Sequence, residues 1–215
     1  MFPQIIGLYT NTNHSNLKLN IEDLISHYQN TEYEDVNDFC GSSLRHIFNK
    51  HDENLFDNEI CDLTIFKNFL LDSVKSYCNE LGYIHSGFVI TDCWINICNK
   101  NGYQVPHNHA NSFISGTYYV NFNPEIHSRL CFRNPFSTGM YSIPSINLDR
   151  SVFHNHPNSE EYECNIYEEG DLVLWQSGLS HAYRPCSGDN RISISMNFLP
   201  KYIKSGSYSV EIKDK

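Results

Sequence analysis

No stretch of the 215 residues is long and apolar enough to span a bilayer, and the opening MFPQIIGLYTNTNHSN lacks the basic-then-apolar plan of an export signal. A cytoplasmic protein without a membrane segment is the expectation. Positive charge is scarce. Fifteen Lys and Arg stand against 25 Asp and Glu, a formal charge of −10, whereas phosphate backbones demand a basic footprint. Nucleic acid is therefore not an expected partner, although a small anion needs only one well-placed Arg. Cys40, Cys61, Cys78, Cys93, Cys98, Cys131, Cys164 and Cys186 form no CxxC pair and no zinc-knuckle spacing. A disulfide framework and a structural zinc site give way to scattered reduced thiols, most of them buried as small hydrophobes. Internal repeats and low-complexity linkers are also missing, so one domain over 1–215 is expected.

What is present divides in two. Helical periodicity is confined to the region before residue 86. Ile21, Leu24, Ile25 and Tyr28 are spaced for a helix over 20–29 with Asn20 as its N-cap. Phe66, Phe69, Leu70, Val74, Tyr77 and Leu81 mark a stronger stripe over about 63–81, and Gly82 supplies its stop. The stretch 30–61 reads as irregular, with one helical turn near Ser43–Asn49. From residue 86 the texture becomes β-branched and aromatic, with strands expected at 86–98, 112–122, 129–133, 162–168, 171–176, 190–199 and 207–213. Turn clusters separate them and no helix intervenes, which predicts a mainly β antiparallel sandwich or barrel. Residues 134–160, broken by Pro135, Gly139, Pro144 and Pro157, read as a lid-like excursion over one mouth.

Three histidines stand in informative places. His107 and His109 are two apart in an extended segment, so both imidazoles point to one side. His181 follows the strand DLVLWQ, and Arg191 opens RISISMNF ten residues later. On that last strand Arg191, Ser193, Ser195 and Asn197 share one face, which suggests a polar pocket rather than a plain core. A single strand histidine is more often structural than a ligand; the combination points to a metal.

The set resembles the iron(II)- and 2-oxoglutarate-dependent oxygenases. The likeness is narrower still to an uncharacterised bacterial and phage family within them. Its phrases read here Trp94-Ile95-Asn96, His107-Asn108-His109, Ser115-Gly116-Thr117-Tyr118-Tyr119, Gly170 to Leu174 followed by His181, and Arg191 to Asn197. The likeness covers about 87–199. It implies a double-stranded β-helix (jelly roll) over 86–215, with the helical N-terminal region, residues 1–85, packed on the sheet. It also implies Fe(II) on His107, His109 and His181, with 2-oxoglutarate as cosubstrate held by Arg191 and Ser193. Asn96, Asn197 and one of Tyr118 and Tyr119 are further cosubstrate-pocket candidates; strand alternation sends the two tyrosines to opposite sides. The implied reaction hydroxylates a small molecule or a protein side chain.

Two positions depart from the superfamily pattern. His109 stands where a carboxylate ligand is usual, as in the narrower family, and imidazole suits several metals besides iron. Trp175-Gln176-Ser177-Gly178-Leu179-Ser180 replaces the usual Phe-Pro-Ser-Trp-Leu-Pro. A second His-x-His, His154 and His156, sits in the excursion with no strand after it and reads as solvated loop histidines. Two other classes fit the same residues: a cupin-like three-His enzyme that does not use 2-oxoglutarate, and a non-catalytic jelly-roll binding module. Arg191 facing away from His181 would favour the first. A closed metal site would favour the second.

Overall fold

In the computed structural model, residues 6–28, 43–49, 53–135, 161–164 and 168–213 are described. The excursion beyond Pro135, with Phe136, Tyr141, His154 and His156, lies outside them, as does Cys40. Among the described residues, twelve strands and two α-helices run in the order β1 (Gly7–Thr10), α1 (His14–Tyr28), β2 (Leu44–Ile47), a 3-10 turn (Leu55–Asp57), α2 (Thr64–Glu80), β3 (Phe88–Cys98), β4 (Gln104–His107), β5 (Ile114–Asn121), β6 (Leu130–Arg133), β7 (Glu161–Glu163), β8 (Asp171–Gln176), β9 (His181–Tyr183), β10 (Arg191–Pro200), β11 (Tyr202–Ser205) and β12 (Tyr208–Glu211). The fold is mainly β. A six-stranded sheet in the order β1-β8-β5-β10-β3-β2 faces a four-stranded sheet in the order β4-β9-β6-β7, and β11 with β12 makes a separate hairpin. Every pairing is antiparallel. This is the double-stranded β-helix that the motifs implied.

Strand alternation sorts the large sheet into an apolar outer face and a polar inner one. On β10, Ile192, Ile194, Met196 and Phe198 join a core with Leu17, Ile21 and Leu24 of α1 and Phe66, Leu70, Val74 and Tyr77 of α2. Each fully buried side chain of this kind is worth about 1.5–3 kcal/mol. Gly116 makes the closeness possible. A Cβ there would stand 2.6 Å from Leu174 Cδ2 and 2.8 Å from Met196 Sδ. Helix α2 stops as its sequence says. Gly82 takes φ +79°, its N–H bonds to Asn79 O, and Tyr83 N–H bonds to Cys78 O, a Schellman ending.

Three expectations need correction. Helix α1 begins at His14 rather than at Asn20, which lies inside it; Leu17 extends the buried stripe one turn earlier. Residues 44–47 form strand β2 rather than a helical turn, because pairing with β3 fixes Leu44 opposite Cys98 and His46 opposite Asn96. Nor is the first third only helical: β1 and β2 supply the two edges of the large sheet. Such four-residue strands take their conformation from the neighbour they pair with.

Candidate metal centre

Strand pairing builds the histidine cluster. β4 lies against β9 with His107 directly opposite His181. His109 follows β4, and its backbone N–H bonds to Ser177 O at 3.0 Å, in the turn leading to β9. The three ring centroids come to 4.3, 5.0 and 5.2 Å from one another. One nitrogen from each ring lies within 4.8 Å of the other two.

Each ring is held by its other nitrogen. His107 Nδ1 is 3.0 Å from Val105 O and His181 Nδ1 is 3.1 Å from Leu179 O. A carbonyl only accepts, so both Nδ1 atoms carry the proton and both Nε2 lone pairs are left for a metal. His109 Nδ1 is 2.6 Å from Asn197 Oδ1. The orientation of that amide is fixed from behind, because Asn197 Nδ2 donates to the Asp92 carboxylate at 3.2 Å. Ser115 donates to the same Asn197 oxygen at 2.9 Å and sits 2.8 Å from Ser177 Oγ. Burial, with His107 adding to it, pushes His181 down to about 3, and burial also lowers His107. Both are therefore neutral imidazoles at pH 7, the form that binds metal.

Arg191 is buried to 1% exposure at the other end of the same inner wall. Its Nε donates to Ser128 O at 3.1 Å, and its Nη atoms lie 3.4 Å from Ser193 Oγ and 3.5 Å from Tyr119 Oη. The guanidinium stacks on Tyr183 at 4.4 Å and on Tyr119 at 5.1 Å. No carboxylate among the described residues pairs with it, yet it stays charged at any ordinary pH. A buried cation with no carboxylate beside it among the described residues is suited to take an anionic ligand. Tyr183 is two residues after His181 on one face of β9, so Arg191 faces the histidine side.

The remaining candidates divide by strand face. Tyr119 points inward to Arg191. Tyr118 points outward: its hydroxyl is 2.8 Å from His14 Nδ1, and its ring packs 4.9 Å from Phe66. Asn96 is on the inner wall, accepting from Trp94 Nε1 at 3.1 Å and donating to Ser195 Oγ at 2.9 Å. Asn197, expected among the cosubstrate contacts, is instead engaged with His109. Sequence reasoning did not single out Ser115 and Asp92, which complete the support of His109. It also passed over His46, on the inner face of β2. Trp175 had drawn notice only as a departure from the pattern. It packs 4.6 Å from His181, with a buried indole N–H that finds no acceptor among the described residues.

Residues 92–197 match the sequence model of a family described as "Putative 2OG-Fe(II) oxygenase". No curated protein matches the sequence. Among solved structures, a prolyl-4-hydroxylase from Pseudomonas putida superposes with a TM-score of 0.57 at 13% identity, over 91% of this chain and 92% of its own. A prolyl hydroxylase from Trichoplax adhaerens, solved with a peptide fragment of hypoxia inducible factor, gives 0.58 at 15% identity, over 90% and 83%. HygX from Streptomyces hygroscopicus, solved with nickel, 2-oxoglutarate and hygromycin B, gives 0.54 at 9% identity, over 92% and 83%. At these identities the likeness establishes the fold.

Proposed function

We propose that the chain, matched over residues 92–197 by a family of putative 2OG-Fe(II) oxygenases, is a hydroxylating dioxygenase in which His107, His109 and His181 hold the iron and Arg191 holds the 2-oxoglutarate cosubstrate. The observation that carries the assignment is the pairing of two unmet demands on one inner wall. Three imidazole nitrogens converge with their lone pairs free, and a buried guanidinium lacks a carboxylate among the described residues. A dicarboxylate with a keto group meets both.

When bound, iron(II) supplies the redox chemistry by which dioxygen converts 2-oxoglutarate to succinate and carbon dioxide and a substrate C–H bond is hydroxylated. The chain's own groups bind and orient. Arg191 offers a planar fork to the far carboxylate, with Ser193 and Tyr119 adding hydroxyl donors beside it. Asn96 lines the wall between the two ends. Asn197, Ser115 and Asp92 keep the His109 ring turned toward the metal; they act through that ring and are positioning residues. Trp175, Phe132 and Leu179 form an apolar backing that limits water around His181.

The substrate is a small molecule or a protein side chain. Two structural neighbours were solved with ligands of different kinds, a peptide fragment and hygromycin B. A cytoplasmic setting fits the seven described cysteines, all of them free thiols, and no described helix is long and apolar enough to cross a membrane. The motif set supports a bacterial or phage source. Arg191 facing the histidines favours 2-oxoglutarate use over the cupin-like alternative. Anaerobic iron titration followed by a screen for substrate-stimulated succinate is the test. One iron per chain and succinate release are expected; a chain that takes up no iron overturns the proposal.

A further inference from the structure

His46 has no place in the chemistry above, yet it lies on the same inner face. Its strand pairing puts it in one row with Asn96, Ser193 and Tyr119 across the inner wall. Its neighbours confirm the facing: Leu44, two residues earlier, packs with Cys98 and Tyr183 inside, while Ile47 joins the outer core. The side chain is only 8% exposed. Asn49, itself exposed, lies 2.9 Å away with its amide nitrogen toward His46 Nδ1. An amide nitrogen only donates, so Nδ1 accepts and the ring proton is on Nε2. That Nε2–H is buried and has no acceptor among the described residues. Leaving such a donor unmet is destabilising, so a protein that keeps one there needs a reason.

We infer that His46 Nε2–H is a specificity-determining donor to a carbonyl or carboxylate oxygen of the primary substrate. The inference rests on the oxygenase proposal. Its location separates it from the cosubstrate. On that proposal the far carboxylate would be held by Arg191, Ser193 and Tyr119 and the near one by the metal. His46 lies on β2, which ends the six-stranded sheet, while His107 lies on β4, which ends the four-stranded sheet. The two imidazoles thus belong to the edge strands of the two sheets.

His46→Leu and His46→Gln in the full-length protein test the inference. Zinc serves as the metal for the binding measurements because it does not turn over. With the unmet donor gone, His46→Leu is expected to melt no lower than wild type. Its 2-oxoglutarate affinity should stay within about twofold, because the cosubstrate is held elsewhere. Iron-loaded protein is then assayed for succinate with free amino acids and with N-acetyl amino acid amides, which separates carboxylate from amide acceptors. For members that stimulate wild type, His46→Leu should raise KM on the order of tenfold with a smaller change in kcat, and His46→Gln, which keeps an N–H, should fall between. Where no member stimulates wild type, the melting and affinity results decide. A lower melting temperature in both variants makes His46 structural, and a large loss of 2-oxoglutarate affinity makes it a cosubstrate residue; either overturns the inference, as does an unchanged KM. Wild-type protein that binds no 2-oxoglutarate in the presence of metal would instead sink the oxygenase proposal.

Discussion

The two faces of the large sheet are made by the same strands and follow opposite rules. On the outer face of β10, Ile192, Ile194, Met196 and Phe198 meet both helices in a dense apolar layer. On the inner face, Arg191, Ser193, Ser195 and Asn197 alternate with them. The wall they share carries a cation without a carboxylate partner and N–H donors without acceptors among the described residues. Stability is concentrated on one side and unmet binding capacity on the other. Proteins tolerate such unmet polar groups where a ligand completes them.

Substitutions on each face should therefore have separable effects. The largest is expected outside. Ile194, fully buried opposite Ile95 on β3 and Tyr118 on β5, loses about 2–5 kcal/mol of folding stability when truncated to Ala. Denaturant unfolding measures this, and the protein that remains folded should bind metal with unchanged affinity. A weakened metal site in the folded variant would show that the two faces are coupled. A smaller effect is expected inside. Asn197→Ala releases the His109 ring from its support and should cost about ten- to hundredfold in metal affinity, with little loss of stability. Competition with a chelator reads the affinity. Unchanged affinity would mean that strand pairing alone positions His109.

The contrast also explains what was legible in the sequence. The alternation along 191–198 is written in consecutive residues, so both faces of β10 could be assigned without coordinates. His107 and His109 were legible as a pair because a period of two fixes their relation, and the resemblance to the oxygenases joined them to His181 and Arg191, which strand pairing brings near only in the fold. The support of His109 was not, since Asp92, Ser115, Ser177 and Asn197 come from β3, β5, β10 and a turn, and only the pairing of those strands brings them together. Strand β2 was misread for the same reason. Four residues carry too little periodicity to announce a strand, and with the strand went the facing of His46. The start of α1 was missed more simply: Leu17 continues the stripe of Ile21 and Leu24 backwards, but polar residues around it mask the period. Tyr118 and Tyr119 show the limit of alternation. The sequence placed them on opposite faces, and the structure chose Tyr119 for the inside.

The central claim is that the inner face is completed by a metal and a dicarboxylate bound together. Calorimetric titration of 2-oxoglutarate into zinc-loaded wild type and Arg191→Ala, with metal content measured in parallel, tests it most directly. Wild type should bind 2-oxoglutarate only when metal is present. Arg191→Ala should keep its metal and lose about ten- to hundredfold in cosubstrate affinity, the value of hydrogen bonds to a charged group. An Arg191→Ala protein that binds 2-oxoglutarate as tightly as wild type would contradict the account.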